Sequence, residues 1–193
     1  LTYLLIIDDA TRYRMIICIA SRKTGTVKIA FCRWTEIFGW PRELASDQER
    51  SVVSRDFQAW IEVRRTKYRA LLGGPSGRHT QTAVLNAISR VSRKTMHSIS
   101  TDATLNGVAP SQEELGSETA HAGNICAGKG GSTPVQAALG FIPRDPLDTG
   151  DLGDRPMSDA ERAVDKVRLR HTGLASYQQG MLEERLDRLP RTH

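Results

Sequence analysis

The amino-acid sequence predicts an α/β fold: a mixed sheet flanked by helices across about residues 1–100, followed by a helical extension. Three observations predict it. Two short β-rich apolar runs open the chain, Leu4-Leu-Ile-Ile7 and Met15-Ile-Ile-Cys-Ile19. Apolar residues at helical spacing then alternate with further short strand candidates, giving the order β-β-α-β-α-β-loop-α. Beyond Ser98 strand signals stop while helical ones continue.

Taken in order, residues 1–8 and 13–20 are the first two strands. The turn-forming separator Asp9-Ala-Thr-Arg12 makes them an antiparallel hairpin, with both strands expected to be mostly buried. Residues 23–38 place Val27, Ala30, Phe31, Trp34, Ile37 and Phe38 on one helical stripe. Gly39 stops that helix and Pro41 prevents its continuation. Residues 42–47 are a strand candidate ending in the polar cluster Ser46-Asp-Gln-Glu49. Ser54 is the N-cap of a second helix that turns Phe57, Trp60, Ile61 and Arg64 to one face. The same spacing assigns Trp34, Phe57 and Trp60 to the core.

Residues 68–72 read as another strand, 73–77 as a glycine-rich loop and 80–96 as a third helix. A helix over 110–126 is weakened by Gly116 and Gly123. Residues 128–132 form a loop, and 133–139 a short helix with Pro134 in its first turn. Ser158 caps a helix or helix pair over 158–189, with interruptions expected near Gly173 and Gly180. The division is therefore a core domain at 1–100, a helical segment at 101–142, a Gly/Pro/Asp-rich linker at 143–157 and a helical C-terminal segment at 158–193.

Charge is distributed unevenly. The net charge is +5, but residues 21–97 hold 15 Lys/Arg against 6 Asp/Glu, whereas 98–161 hold 3 against 10. A basic first half suggests a face for a polyanion, against the plain alternative of a solvated surface without a partner. Cys18, Cys32 and Cys126 are odd in number and lack metal-ligand spacing, so they read as small buried hydrophobes in a reducing compartment. The apolar run at 4–7 is too short to span a bilayer and no basic-then-apolar leader precedes it. The expectation is an intracellular protein, nuclear or cytoplasmic, with no membrane partner. Because the chain opens on Leu1 within a strand, it also reads as a piece of a longer polypeptide.

Five blocks then occur in one order. They are Tyr3-Leu-Leu-Ile-Ile-Asp-Asp-Ala-Thr-Arg-Tyr13; Phe38-Gly-Trp-Pro41 with Leu44-Ala-Ser-Asp-Gln48; Ser54-Arg-Asp-Phe57; His79-Thr-Gln-Thr-Ala-Val-Leu-Asn86; and Gly130-Gly-Ser-Thr-Pro-Val-Gln136 with Leu139-Gly140. Together, over about residues 1–144, they resemble the integrase catalytic core of LTR retrotransposon polyproteins. The resemblance implies a ribonuclease-H-like fold, N-terminally truncated here by one strand. It also implies metal-dependent DNA integration, in which element ends are trimmed and joined to target DNA. Three carboxylates would hold two Mg2+ or Mn2+ ions, because two hard cations can clamp the attacking and leaving oxygens of a phosphodiester.

Carried over residue by residue, the resemblance gives Asp47 the second catalytic and metal-binding role; the alternative is a carboxylate that only caps the next turn. Glu49 stands where the family has a glycine, and Val52 where it has an aromatic. Asn86 occupies the third position, 39 residues after Asp47 (86 − 47), and offers a neutral carbonyl where a Glu belongs. Asp8 and Asp9 are weaker metal candidates, aligning with a carboxylate that is not usually a ligand. His79 and Gln81 are candidates for DNA contact. Arg64, Arg65, Lys67, Arg69, Arg78, Arg90, Arg93 and Lys94 are candidates for phosphate contact, each also readable as a solvated surface residue. The expected function is an integrase-type polynucleotidyl transferase core with impaired catalysis and doubtful metal binding, partnered by DNA and capable of self-association. Two alternatives stand beside it: a non-enzymatic nucleic-acid-binding module, and a non-functional retroelement remnant.

Overall fold

Which sequence signals survive as structure is answered by a computed structural model that describes residues 2–47, 50–71, 79–126, 131–141 and 157–187. Within its helices, the side chains of 50, 79–82 and 157–163 lie outside the described residues. The element order is β1 (Thr2–Ile7), β2 (Arg14–Ile19), α1 (Thr24–Phe38), β3 (Glu43–Ser46), α2 (Arg50–Val53), α3 (Arg55–Glu62), β4 (Lys67–Ala70), α4 (His79–Leu105), α5 (Gln112–Ile125), α6 (Pro134–Leu139) and α7 (Met157–Asp187). The chain divides into two units, residues 1–6 with 17–88 and residues 7–16 with 89–193. Both the β1–β2 hairpin and α4 therefore contribute to each.

In the first unit, α1 buries Val27, Ala30, Phe31 and Trp34 of the stripe that its apolar spacing predicts, while Phe38 is half-buried and Ile37 is exposed at the helix end. Gly39 ends it at φ 73°, a conformation natural to glycine, and returns its N–H to the Thr35 carbonyl at 2.9 Å. Ser54 caps α3, its Oγ accepting the Phe57 N–H at 3.2 Å. The four-residue α2 was not expected; it precedes the cap and buries Val52. Strands β3 and β4 pair in parallel with Glu43 opposite Lys67 and Ser46 opposite Ala70. Parallel pairing demands a crossover, which α2 and α3 supply. Phe31, Trp40, Phe57 and Trp60 meet at centroid distances of 5.0 to 6.3 Å, mostly edge-on or tilted, as ring quadrupoles favour. Phe57 and Ile61 are the most deeply buried hydrophobic side chains there.

The second unit is helical. Ser111 opens α5 with a reciprocal cap: its Oγ accepts the Glu114 N–H at 3.2 Å, and Glu114 accepts the Ser111 N–H at 2.8 Å. Thr133 and Gln136 do the same for α6. Small apolar clusters pack beneath, one of Ile99, Ala103, Leu115 and Leu169, the other of Val91, Ala122 and Tyr177.

Several expectations need correction. The described strands form two separate two-stranded sheets, β1–β2 and β3–β4, so a single mixed ribonuclease-H-like sheet is not what the described residues form. The chain is α/β in content but mostly helical. Strand β1 is half-buried throughout rather than mostly buried, and all three cysteines are half-buried free thiols. Trp60 is half-buried too. α4 runs nine residues past its expected end, to Leu105. α7 starts at Met157, so Ser158 lies inside its first turn, and it passes through Gly173 and Gly180 unbroken. The reason is packing: a Cβ on Gly173 would sit 2.9 Å from Ile99 Cδ1, and one on Gly180 would sit 3.1 Å from Val91 Cγ1. At these glycines side chains of α4 occupy the space a Cβ would take; the glycines do not break α7. The expected linker at 143–157 lies almost wholly outside the described residues.

Candidate nucleic-acid interface and carboxylate positions

Asp47 follows β3 directly and is exposed, at the carboxyl end of the parallel pair. Beside it, Ser46 Oγ donates to the Asp47 carbonyl at 2.8 Å and lies 2.9 Å from the Tyr68 hydroxyl. Asn86 is exposed on α4. Asp8 does a turn's work: its Oδ2 accepts the Thr11 N–H at 2.8 Å and the Thr11 hydroxyl at 2.7 Å, closing the hairpin. Asp9 pairs with Arg12 at 2.5 Å. Among the described residues no group of three or more His, Cys, Asp or Glu is arranged to hold a metal ion. Those residues therefore do not fit a two-cation site. Arg78 lies outside the described residues; His79 and Gln81 lie in the first turn of α4, but their side chains also fall outside.

The candidate phosphate-binding cations divide by what already engages them. Arg64 donates to the Trp60 carbonyl at 2.7 Å, and its Cζ stacks 4.8 Å from the rings of both Trp40 and Trp60. Arg69 pairs with Glu43 across the parallel strands. Arg90 pairs with Glu184, and Lys94 with Glu183 at 2.7 Å. The Lys94 ammonium, by hydrogen bond and charge, holds the Glu183 carboxyl below its ordinary value. Arg65, Lys67 and Arg93 are exposed and make no ion pair among the described residues.

A buried polar system escaped sequence reasoning. Arg14 is only 3% exposed, and its Nη1 donates to the Tyr177 hydroxyl while its Cζ lies 4.9 Å from that ring's centroid. Its backbone exchanges two hydrogen bonds with the Asn124 amide, at 2.9 and 2.8 Å. Gly123 is required here, since a Cβ would lie 2.7 Å from the guanidinium. Burial pushes the Tyr177 hydroxyl's pKa up, and the Arg14 charge and hydrogen bond oppose that. Burial likewise raises the Cys126 thiol, with Arg14 opposing. Arg170 and Glu118 form a second, mostly buried pair, with two N–H···O contacts at 3.0 and 3.2 Å.

No family model matches the chain, and no curated protein matches it. Among solved structures, the HTLV-2 integrase catalytic core domain, in complex with magnesium and in a trimeric form, is similar at a TM-score of 0.49 and 14% identity, over 70% of this chain and 84% of that one. A likeness this partial carries no argument about function. No described helix is long and apolar enough to cross a membrane.

Proposed function

We propose that the chain is an integrase-type polynucleotidyl transferase core of a retroelement, acting on DNA with impaired catalysis. Its partners on this reading are element ends and target DNA, met in the nucleus or cytoplasm and by a chain able to self-associate. The observation that carries the reading is Asp47: an exposed carboxylate directly after a strand, within five sequence blocks in the integrase order, with Asn86 at the third carboxylate position. Phosphoryl transfer between DNA strands needs charge neutralisation at both oxygens of the displaced bond. One exposed carboxylate and a neutral amide supply too little negative charge to hold two divalent cations. Weak binding of Mg2+ or Mn2+ is therefore part of the proposal.

The test is a strand-transfer reaction with the purified chain, a DNA duplex and either cation. Salt-dependent DNA binding without strand transfer is expected. Transfer products that disappear in Asp47→Asn would overturn the claim of impairment. A second reading, a non-enzymatic nucleic-acid-binding module, is favoured by Arg65, Lys67 and Arg93, exposed cations without ion-pair partners among the described residues. Asn86→Glu separates the two: a gain in Mn2+ affinity over the wild-type chain supports the integrase reading, and unchanged metal affinity supports the module.

A further inference from the structure

Within residues 89–105, α4 carries Arg90, Arg93, Lys94 and His97 at helical spacing on one exposed face. Two of these cations are already answered by carboxylates of α7, Arg90 by Glu184 and Lys94 by Glu183. Glu184 is only 7% exposed, so α7 has taken this acid out of water to reach its partner. Leu182 and Leu186 beside the acids remain 57% and 65% exposed. Apart from Met181, which reaches the Val91–Tyr177 cluster, this end of α7 gains little from apolar packing.

We propose that the end of α7 is an intramolecular stand-in for a polyanion, its Glu183 and Glu184 masking Lys94 and Arg90 until a nucleic-acid backbone displaces them. The proposal rests on the reading that the basic residues of α4 meet DNA phosphates. The Lys94–Glu183 pair is exposed, and exposed ion pairs are weak and screened by salt, so a dense row of phosphates can compete with it, whereas a single carboxylate ligand cannot; Arg90 leaves a buried Glu184 and is the harder of the two to release. Unmasking adds cations to the DNA contact. In the wild-type chain that contact is made at the expense of an ion pair, whereas a chain lacking the acid makes it without that cost.

The experiment is a titration of a fluorescent DNA duplex at several salt concentrations, with folding of every variant checked by circular dichroism. Glu183→Gln breaks the exposed pair alone and spares the fold. The double variant Glu183→Gln/Glu184→Gln releases both cations. The control is Glu36→Gln/Glu113→Gln, which makes the same charge change at two exposed acids outside the pair. Expected is tighter binding in the α7 variants than in the control, with a salt slope close to that of the wild-type chain, because DNA meets the same cations once it has displaced the acids. In addition, Lys94→Gln should weaken binding more in the Glu183→Gln background than in the wild-type background, where the lost contact is offset by an ion pair that no longer has to be broken. If the wild-type chain binds DNA but the α7 variants match the control, masking is wrong and the nucleic-acid reading stands. If no variant binds at low salt, the nucleic-acid reading fails and masking falls with it.

Discussion

The two units of this chain solve the problem of a core in opposite ways. Residues 17–88 of the first use bulk, with Phe31, Trp40, Phe57 and Trp60 meeting edge to face or tilted and Ile61 fully buried. The helices of the second use small residues and buried polar groups. Gly123, Gly173 and Gly180 admit close neighbours, and Thr119 and Glu118, with Arg14 of β2, are hydrogen-bonded while at most 9% exposed. Bulk is tolerant of direction and stabilises in proportion to the area buried. Buried polar groups stabilise only when satisfied and so make the second unit's packing intolerant of small changes. Trp34, Trp40 and Trp60 all lie in the first unit, so tryptophan fluorescence follows that unit alone, while far-ultraviolet circular dichroism is weighted toward the long helices.

The largest expected effect is in the aromatic core. Phe57→Ala should remove about 3–5 kcal/mol of stability, the lost transfer free energy plus the cavity left beside the rings of Phe31 and Trp60. Urea unfolding followed by tryptophan fluorescence would show it. A loss under about 1 kcal/mol, or a wild-type transition without cooperativity, would mean that the aromatic cluster is not a packed core and would favour the remnant reading.

Second is the buried guanidinium. Tyr177→Phe keeps the ring over Arg14 but deletes its acceptor oxygen, leaving a buried donor unmatched; about 1–3 kcal/mol is expected. Arg14→Met combined with Tyr177→Phe should be less damaging than the sum of the single changes, because removing both polar partners leaves nothing unsatisfied between them. Additive losses would show that the contact carries no coupling.

Much of the local structure was legible in the sequence, and the reason is that it is local. The stripe of α1, the stop at Gly39, the Ser54 cap and the Pro134 turn each depend on residues within about four positions of one another. The Arg14 system was not legible, since its partners lie 110 and 163 residues away and a lone Arg in a strand gives no sign of burial. The same blindness misread Gly173 and Gly180: a helix-weakening residue and a close-packing residue are the same letter. For the candidate site, the sequence proposes Asp47 and Asn86 but does not tell which basic residues are engaged. Arg64, Arg69, Arg90 and Lys94 are held by contacts that no spacing rule reveals.

Glycine substitutions turn that difference into a sign. Ala is favoured over Gly inside helices by up to about 1 kcal/mol. Gly25 in α1 has nothing within 4 Å of an added Cβ, so Gly25→Ala should stabilise, by less than that because it lies in the first turn. At Gly173 the new methyl meets Ile99 Cδ1 at 2.9 Å, and overpacking of about 1–3 kcal/mol outweighs the propensity gain. Opposite signs in thermal midpoints are expected. A stabilising Gly173→Ala would mean that the Ile99 side chain gives way to the added methyl at little cost.

The smallest effect concerns the cap of α5. The backbone N–H of Ser111, and then its side chain, hold the Glu114 carboxyl below its ordinary value. A carboxyl whose folded value is depressed stabilises fully above its ordinary value, and that contribution is lost as pH falls through the depressed value. Glu114→Gln keeps an acceptor for the Ser111 N–H but has no charge to titrate. The wild-type chain should therefore be the more stable of the two at neutral pH, by less than about 1 kcal/mol because the group is exposed. The two should converge below the ordinary carboxylate range, which thermal unfolding by circular dichroism at several pH values would show. A constant offset at every pH would assign the cap's contribution to geometry alone, with no share from the charge.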